Sequence, residues 1–573
     1  MPATGTGRKP HTSIWLLSLV LLPVLIYLLM LFRYPLMRAY EGLRFPYQLD
    51  AEEGFLVNQA FLLSQGKSIY QPIQESPYLV GTYAPIYPGL NAIALRLFPP
   101  SSHYLLSGRM ISLLSWAGIL ALMFILVYQK TRHVLLALLS PLLFTITYDL
   151  YEWLPYYRVD LLAIFFSLFG LTLIALTSSK LGRILAICAF VLAIYTKQSQ
   201  LAVPLSCCLF LLLQDYRRGL RFIGNLLAPI VLIFILLIVF TRGEYYNHTV
   251  LYNANIFDFF QLKAMLKHLA RFNWALLAAG GLICLYALAS IIVPLLGRKR
   301  ILPSSESDGG PEDTPIGAIN VLKRLDLITI YFLVSILSLI GLAKQGAATN
   351  YLLEPHIAIS LFLCIRLGNF ITRAASQAAA PGRLMMYVLL VALLYMHAIN
   401  LHQKRPILFY PHNPDLTDMN KASAVLNAVR EQPGDVLSEF PIFNIMAGKQ
   451  VLFHPFIMSQ LAREGKWNQA PFVRDIREQR FDVVITTQDI MNPQQFFSRY
   501  TPEMLEALRR FYQPCFPEHK ALDFGRGTLY YLYIPGEKAE LSVVISSIRQ
   551  KRLAGNSAKL AYKFILTPGH RLF

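Results

Sequence analysis

Three carboxylates crowd into the five residues Asp50-Ala51-Glu52-Glu53-Gly54, a short way past the first apolar run, Ile14 to Phe32. A carboxylate at the boundary of membrane and water can deprotonate an acceptor hydroxyl, and a neighbouring carboxylate raises its pKa or shares its proton. These acids therefore point to chemistry on a lipid-borne substrate. If a helix begins near Glu52, Glu52 and Glu53 sit about 100° apart on it and Asp50 can cap its N-terminus. The three then cannot all reach one substrate atom. The structural alternative makes Asp50 a cap and leaves the glutamates to favour the positive end of the helix dipole.

Cations stand where such a substrate would present a phosphate. Glu152-Trp153-Leu154-Pro155-Tyr156-Tyr157-Arg158-Val159-Asp160 runs into an apolar segment with no further charge until Lys180. An ionisable residue at the top of a span is a functional hypothesis by default. Arg158 suits a phosphate and Asp160 would orient it, or the two pair as neighbours at a helix end. Thr196-Lys197-Gln198-Ser199 interrupts another apolar stretch, where a lysine facing lipid centrally costs about 2.5–3.5 kcal/mol. Lys197 therefore faces a cavity or snorkels to the interface. Lys344-Gln345 opens a similar break that continues through Asn350-Tyr351-Leu352-Leu353-Glu354-Pro355-His356. Lys344 and Glu354 can form an ion pair, but two Lys-Gln pairs at one face argue for an anionic ligand between them. Tyr83 and Tyr87, close to Pro85 and Pro88, suit an aromatic interface belt or a sugar contact.

Membrane spans have to hold these residues. Over 573 residues the chain is 55% hydrophobic and only 15% charged, more apolar than a soluble core requires. The net charge of +19 comes mostly from short segments between apolar runs and from the C-terminal tail, which fits membrane topology and anionic lipid headgroups and excludes a nucleic-acid partner. Taking roughly 20 apolar residues per span, the segments 13–33, 106–128, 133–149, 159–177, 182–197, 199–214, 222–241, 274–296, 325–343, 352–369 and 384–401 give about eleven spans, least certain in number at 182–214. Arg8 and Lys9 precede the first of them, and the basic residues of alternate loops keep the N-terminus in the cytoplasm. The first span lacks a small-residue cleavage site and reads as a retained anchor.

On this layout the transmembrane part is 1–401. Its first exterior loop, 34–105, carries a surface helix from Glu53 to Gln65 that ends at Gly66. The loop 301–320 has linker composition. Residues 402–536 form an exterior domain whose alternation of helices 418–431, 469–479 and 501–511 with strands 435–438 and 482–486 and a hairpin-like 527–533 predicts a small α/β fold. Residues 537–573 are a basic tail. The six cysteines show no paired metal spacing and imply neither a zinc site nor a disulfide framework.

Asp50-Ala51-Glu52-Glu53-Gly54, then Ala60, Gly66 and Tyr70, then Tyr83-Ala84-Pro85-Ile86-Tyr87-Pro88 resemble the first exterior loop of the GT-C membrane glycosyltransferases, the superfamily of protein O-mannosyltransferases and lipid A aminoarabinose transferases. The resemblance continues through Arg158-Val159-Asp160, Thr196-Lys197-Gln198, Asn350-Tyr351-Leu352-Leu353-Glu354 and Ala447-Gly448-Lys449. It implies an all-α polytopic membrane enzyme with a small exterior α/β domain. The implied reaction is inverting transfer of a sugar from a polyprenyl-phosphate donor to a glycan, lipid or protein acceptor at the exterior face of the inner (plasma) membrane.

In that superfamily an Asp-Glu pair of the first loop acts, the Asp as base. The matching positions are Glu52 and Glu53, which leaves the base as Glu52 or Asp50. Arg158, Lys197 and Lys344 become candidates for the donor phosphate, whose departure needs cationic stabilisation. Tyr83, Tyr87, Asp160, Gln198, Asn350, Tyr351 and Glu354 become candidates for substrate contacts. No cofactor is expected, although Asp50 and Glu53 have the ligand chemistry for a divalent cation. The rival class is a secondary transporter or lipid flippase, with Lys197, Glu354 and Asp160 relaying protons or holding substrate.

Overall fold

The computed structural model describes residues 19–99, 103–297, 325–374, 381–408, 416–492, 499–515, 522–523 and 529–536. The flank with Arg8 and Lys9, the loop 301–320 and the tail 537–573 lie outside the described residues. Among those described, six helices are long and apolar enough to cross a membrane: Leu22–Arg44, Leu106–Thr131, Tyr216–Phe240, Phe259–Tyr286, Thr349–Thr372 and Leu384–Arg405. Shorter apolar helices are Val134–Thr145, Asp160–Leu176, Ala202–Gln214 and Leu327–Ala343. Where they are described, the eleven expected segments fall mostly on helices, but among the described residues six helices reach spanning length. Short turns such as the one at Lys197 cut the apolar runs into pieces of 10–17 residues.

The surface helix is Ala51–Ser64, two residues earlier than the apolar spacing predicts, because Asp50 starts it. Asp50 has extended backbone angles and its side chain accepts from Glu52 N, while Glu53 reaches back to the Asp50 backbone, a capping box. The first half of this helix, from Glu53 to Ala60, is buried. It lies between the membrane helices and a C-terminal α/β domain.

That domain holds strands β1 (Asp435–Ser438), β2 (Phe481–Thr486), β3 (Tyr512–Pro514), β4 (Leu522–Asp523) and β5 (Leu529–Pro535). The sheet order is β1-β2-β5-β3, with β4 also on β5. β1 and β2 run parallel, and β5 is antiparallel to β2, β3 and β4. The segment expected to be hairpin-like is thus one central strand. Every residue of β2 is buried: Val483 and Ile485 pack with Val425 and Val429 of the helix Leu416–Glu431, and Val484 packs with Phe472 and Leu508 on the other face. A strand covered on both faces reads as a continuous apolar run. The expected boundary at 402 falls inside the helix Pro381–Leu408, so the domain's own elements begin at Leu416.

The domain and the first loop share one core. Phe45, Tyr47 and Phe55 are buried in the same cluster as Phe440, Ile442 and Phe443. Gln48 Oε1 accepts from Ile442 N at 2.7 Å. Gly54 makes this approach possible, since a Cβ there would lie 2.1 Å from Gln48 Oε1. Tyr78 N donates to Leu452 O at 2.7 Å and His454 N donates to Tyr78 O at 3.0 Å, a parallel bridge that fixes His454 against the loop bearing the acids.

Candidate functional site

The three acids separate. Glu53 and Arg109 are both 0% exposed and form an ion pair at 2.9 Å. Arg109 Nε donates to Glu53 Oε1 at 3.0 Å and Nη2 to Oε2 at 2.9 Å. Its other N–H groups meet the carbonyls of Gly42, Phe45 and Tyr47, so all five guanidinium donors are used. Glu53 also accepts from Tyr157 N at 2.7 Å and from Leu49 N at 2.5 Å. Both its oxygens are therefore occupied. The expected catalytic role of Glu53 gives way to a structural one. Arg109 went unnoticed in the sequence because one arginine near the start of a span looks like any interfacial charge.

Asp50 and Glu52 remain accessible, their side chains 25% and 29% exposed. Asp50 Oδ2 accepts from Glu52 N at 3.2 Å and from Arg158 Nη1 at 3.1 Å. Arg158 Nη2 donates to the Tyr83 hydroxyl at 3.1 Å, and Arg158 Nε stands 3.7 Å from Asp160 Oδ2. Asp160 Oδ1 in turn accepts from Lys197 Nζ and from Asn350 Nδ2, each at 2.7 Å, and Lys197 Nζ lies 4.4 Å from the Tyr351 ring centroid. Asp50, Arg158, Asp160 and Lys197 thus form an alternating chain of charges drawn from the first loop and the ends of two apolar helices, Asp160–Leu176 and Lys180–Thr196. Lys197 is buried and paired, so it does not snorkel.

Other expected residues are placed at varying distances from this chain. Gln198 Nε2 donates to Thr82 O at 2.7 Å, behind Tyr83. Lys344 Nζ donates to Asn253 Oδ1 at 2.6 Å and forms no ion pair among the described residues. Glu354 is buried and accepts from Gln200 Nε2 at 2.7 Å, so the anticipated Lys344–Glu354 pair does not form. Tyr87 is 0% exposed, donates to Gly108 O and packs edge-on against Tyr157, which makes it core and corrects its expected substrate contact. Lys449 donates to Gln432 O and Gly434 O, tying down the end of a helix within the α/β domain.

A cavity of about 280 Å³ opens between the acids and that domain. Asp50, Glu52 and Arg158 line one side; Glu439, His454, Phe456 and Arg499 line the other. His454 Nε2 is 3.4 Å from Glu52 Oε2, and its ring stacks on Phe55 at 4.0 Å. Arg499 Nη1 donates to Glu439 Oε2 at 2.8 Å. The domain residues carried no sequence signal: Glu439, His454 and Arg499 are isolated polar residues, and Phe456 an ordinary apolar one, in segments that read as common α/β structure.

Environment divides the two open carboxylates. Burial pushes Asp50 up to about 6, with Glu52 and Glu53 adding to the rise and Arg158 opposing it. Burial would raise Glu52 too, but its contact with His454 and the fields of Arg158 and Arg499 outweigh that and hold it at about 2. Divergent pKa values within one pair separate a proton acceptor from a fixed charge. Burial, helped by Lys197, lowers the Lys344 amine to about 8.

Gly346 closes the rim. Its φ is +85°, and a Cβ there would stand 2.7 Å from the Phe456 ring. Gly346→Ala should cost roughly 1–2 kcal/mol from the left-handed backbone, plus the displacement of Phe456. Pairing it with Phe456→Leu should recover the steric part alone, measured as thermal midpoints of the detergent-purified single and double variants. Additive losses would mean that the two residues do not touch.

No family model and no curated protein matches the chain. Among solved structures, it is similar to ArnT from Cupriavidus metallidurans in the apo state, at 12% identity and a TM-score of 0.49, over 90% of this chain and 98% of that one. The same protein bound to undecaprenyl phosphate gives 11% identity and a TM-score of 0.48, over 88% and 97% of the two chains. The Archaeoglobus fulgidus oligosaccharyltransferase tethered with an acceptor peptide gives 10% and 0.48, over 90% and 77%. Likenesses this distant carry no chemical argument, which has to come from the cavity.

Proposed function

We propose that this chain is a membrane glycosyltransferase that moves a sugar from a polyprenyl-phosphate donor to an acceptor hydroxyl, with inversion, at the exterior face. The observation that carries the reading is the charge chain: a part-exposed carboxylate lining a cavity, backed by Arg158, Asp160 and Lys197. Asp50 takes the acceptor proton as the hydroxyl oxygen bonds to the anomeric carbon. The bond from that carbon to the phosphate oxygen breaks, and the polyprenyl phosphate leaves with the electron pair. Arg158 and Lys344, which has no carboxylate partner among the described residues, supply the positive field that this departure needs. Lys197, committed to Asp160, positions Arg158 instead of meeting the phosphate itself. Glu52, ionised throughout, favours positive charge developing on the sugar.

The direct test is to incubate the full chain in proteoliposomes with radiolabelled polyprenyl-phosphate hexoses and pentoses and a mixed pool of glycan, lipid and peptide acceptors, and follow release of polyprenyl phosphate. Consumption of none of them would remove the reading. The pH dependence has two limbs. Asp50 accepts a proton only when ionised, so the rate should rise with pH through about 6. Lys344 is a cation only below its own value, so donor KM should rise above about 8. An acidic limb unchanged in Asp50→Asn would place the base elsewhere.

A further inference from the structure

The cavity's far wall belongs to the α/β domain, and the transferase reading by itself gives that wall no task. We infer that it forms a subsite for a neutral sugar unit of the acceptor, an inference that rests on the proposed transferase function and names its acceptor class. Four observations support it.

Charges at the cavity are compensated in place. Arg158 faces Asp50 and Asp160, Arg499 holds Glu439 at 2.8 Å, and Glu52 faces His454 at 3.4 Å. With Arg158 engaged by the donor phosphate, an acceptor phosphate or carboxylate entering here meets no further spare cation among the described residues, and Lys344, which could supply one, does not line the cavity. A carbohydrate hydroxyl is both donor and acceptor, so it can bond to either member of such fixed pairs without a net charge to neutralise.

The apolar part of the lining includes three aromatic rings. Phe55, Trp153 and Phe456 all contribute to it, and flat rings suit the C–H faces of a pyranose while the polar frame takes its edge. Hydrogen-bonding capacity is also left over: His454 Nδ1 is buried with no partner among the described residues on a residue that lines the space, and a buried unpaired ring nitrogen is costly unless a ligand or water satisfies it. Finally, at about 280 Å³ the cavity lies at the small end of ligand sites. It admits one terminal sugar unit and not a stretch of glycan chain.

The test needs no turnover, so its outcome is separable from that of the donor experiment. Saturation-transfer NMR on the detergent-solubilised full chain would compare neutral methyl hexosides with methyl glucuronide and glucose 1-phosphate. Neutral glycosides should receive saturation, and the two anions at least fivefold less. Phe456→Ala and His454→Gln should each weaken the neutral signal at least fivefold, and Phe456→Leu serves if the alanine variant does not fold. An equal or stronger response from the anions, no response from neutral glycosides, or a response indifferent to both wall variants would overturn the inference. Donor release that persists alongside such a result would leave the transferase reading standing without this acceptor class.

Discussion

Asp50→Asn should lower sugar transfer by about 100- to 10,000-fold at neutral pH, the range a positioned general base contributes. The substitution is nearly isosteric, and an asparagine still caps a helix, so the Ala51–Ser64 helix should form as before. What disappears is the ability to take a proton and the negative charge that Arg158 Nη1 bonds at 3.1 Å. Donor binding, measured separately, should change little, since Arg158 keeps Asp160 and Tyr83. Glu52→Gln should fall by less, because a group held at about 2 is a poor base and acts through its charge. A Glu52→Gln defect equal to or deeper than that of Asp50→Asn would exchange the two roles.

Removal of Arg109 should act on stability and not on chemistry. Arg109→Ala leaves the Glu53 carboxylate buried without its counter-ion, a situation that costs about 3–5 kcal/mol. It also strips partners from the carbonyls of Gly42, Phe45 and Tyr47. Replacing both members with apolar residues of similar volume often restores a buried pair's stability. Here the combined Glu53→Leu and Arg109→Met variant should recover only part of the loss, because those three carbonyls stay unsatisfied. The readout is the thermal midpoint of the purified protein, with transfer rate per folded molecule as the control. A folded Arg109→Ala protein with an unchanged midpoint would show that the first loop does not depend on this pair.

Part of the site was legible without coordinates. Asp50, Glu52 and Arg158 line one cavity, and Asp160, Lys197, Asn350 and Tyr351 stand directly behind it. Charges and amides are expensive in apolar surroundings, so their survival at the ends of apolar runs is informative. The same logic failed for Glu53, Tyr87 and Glu354. Each is equally unusual in its sequence surroundings, but each found its partner inside the fold.

The chain by itself determined what depends on near neighbours. Apolar runs specify helices for a membrane, the spacing of Asp50 and Glu53 specifies a capping box, and strand-like runs specify a small sheet. These follow from backbone stereochemistry acting over three or four residues. Tertiary structure decided the division of labour among the acids, because it turns on partners that no local rule can supply. Arg109 lies 56 residues from Glu53, and His454 lies 402 from Glu52. Which carboxylate is sealed away, which is held as a fixed charge and which is left to take a proton is set by how the helices and the α/β domain pack, a sum over many contacts that no single position encodes.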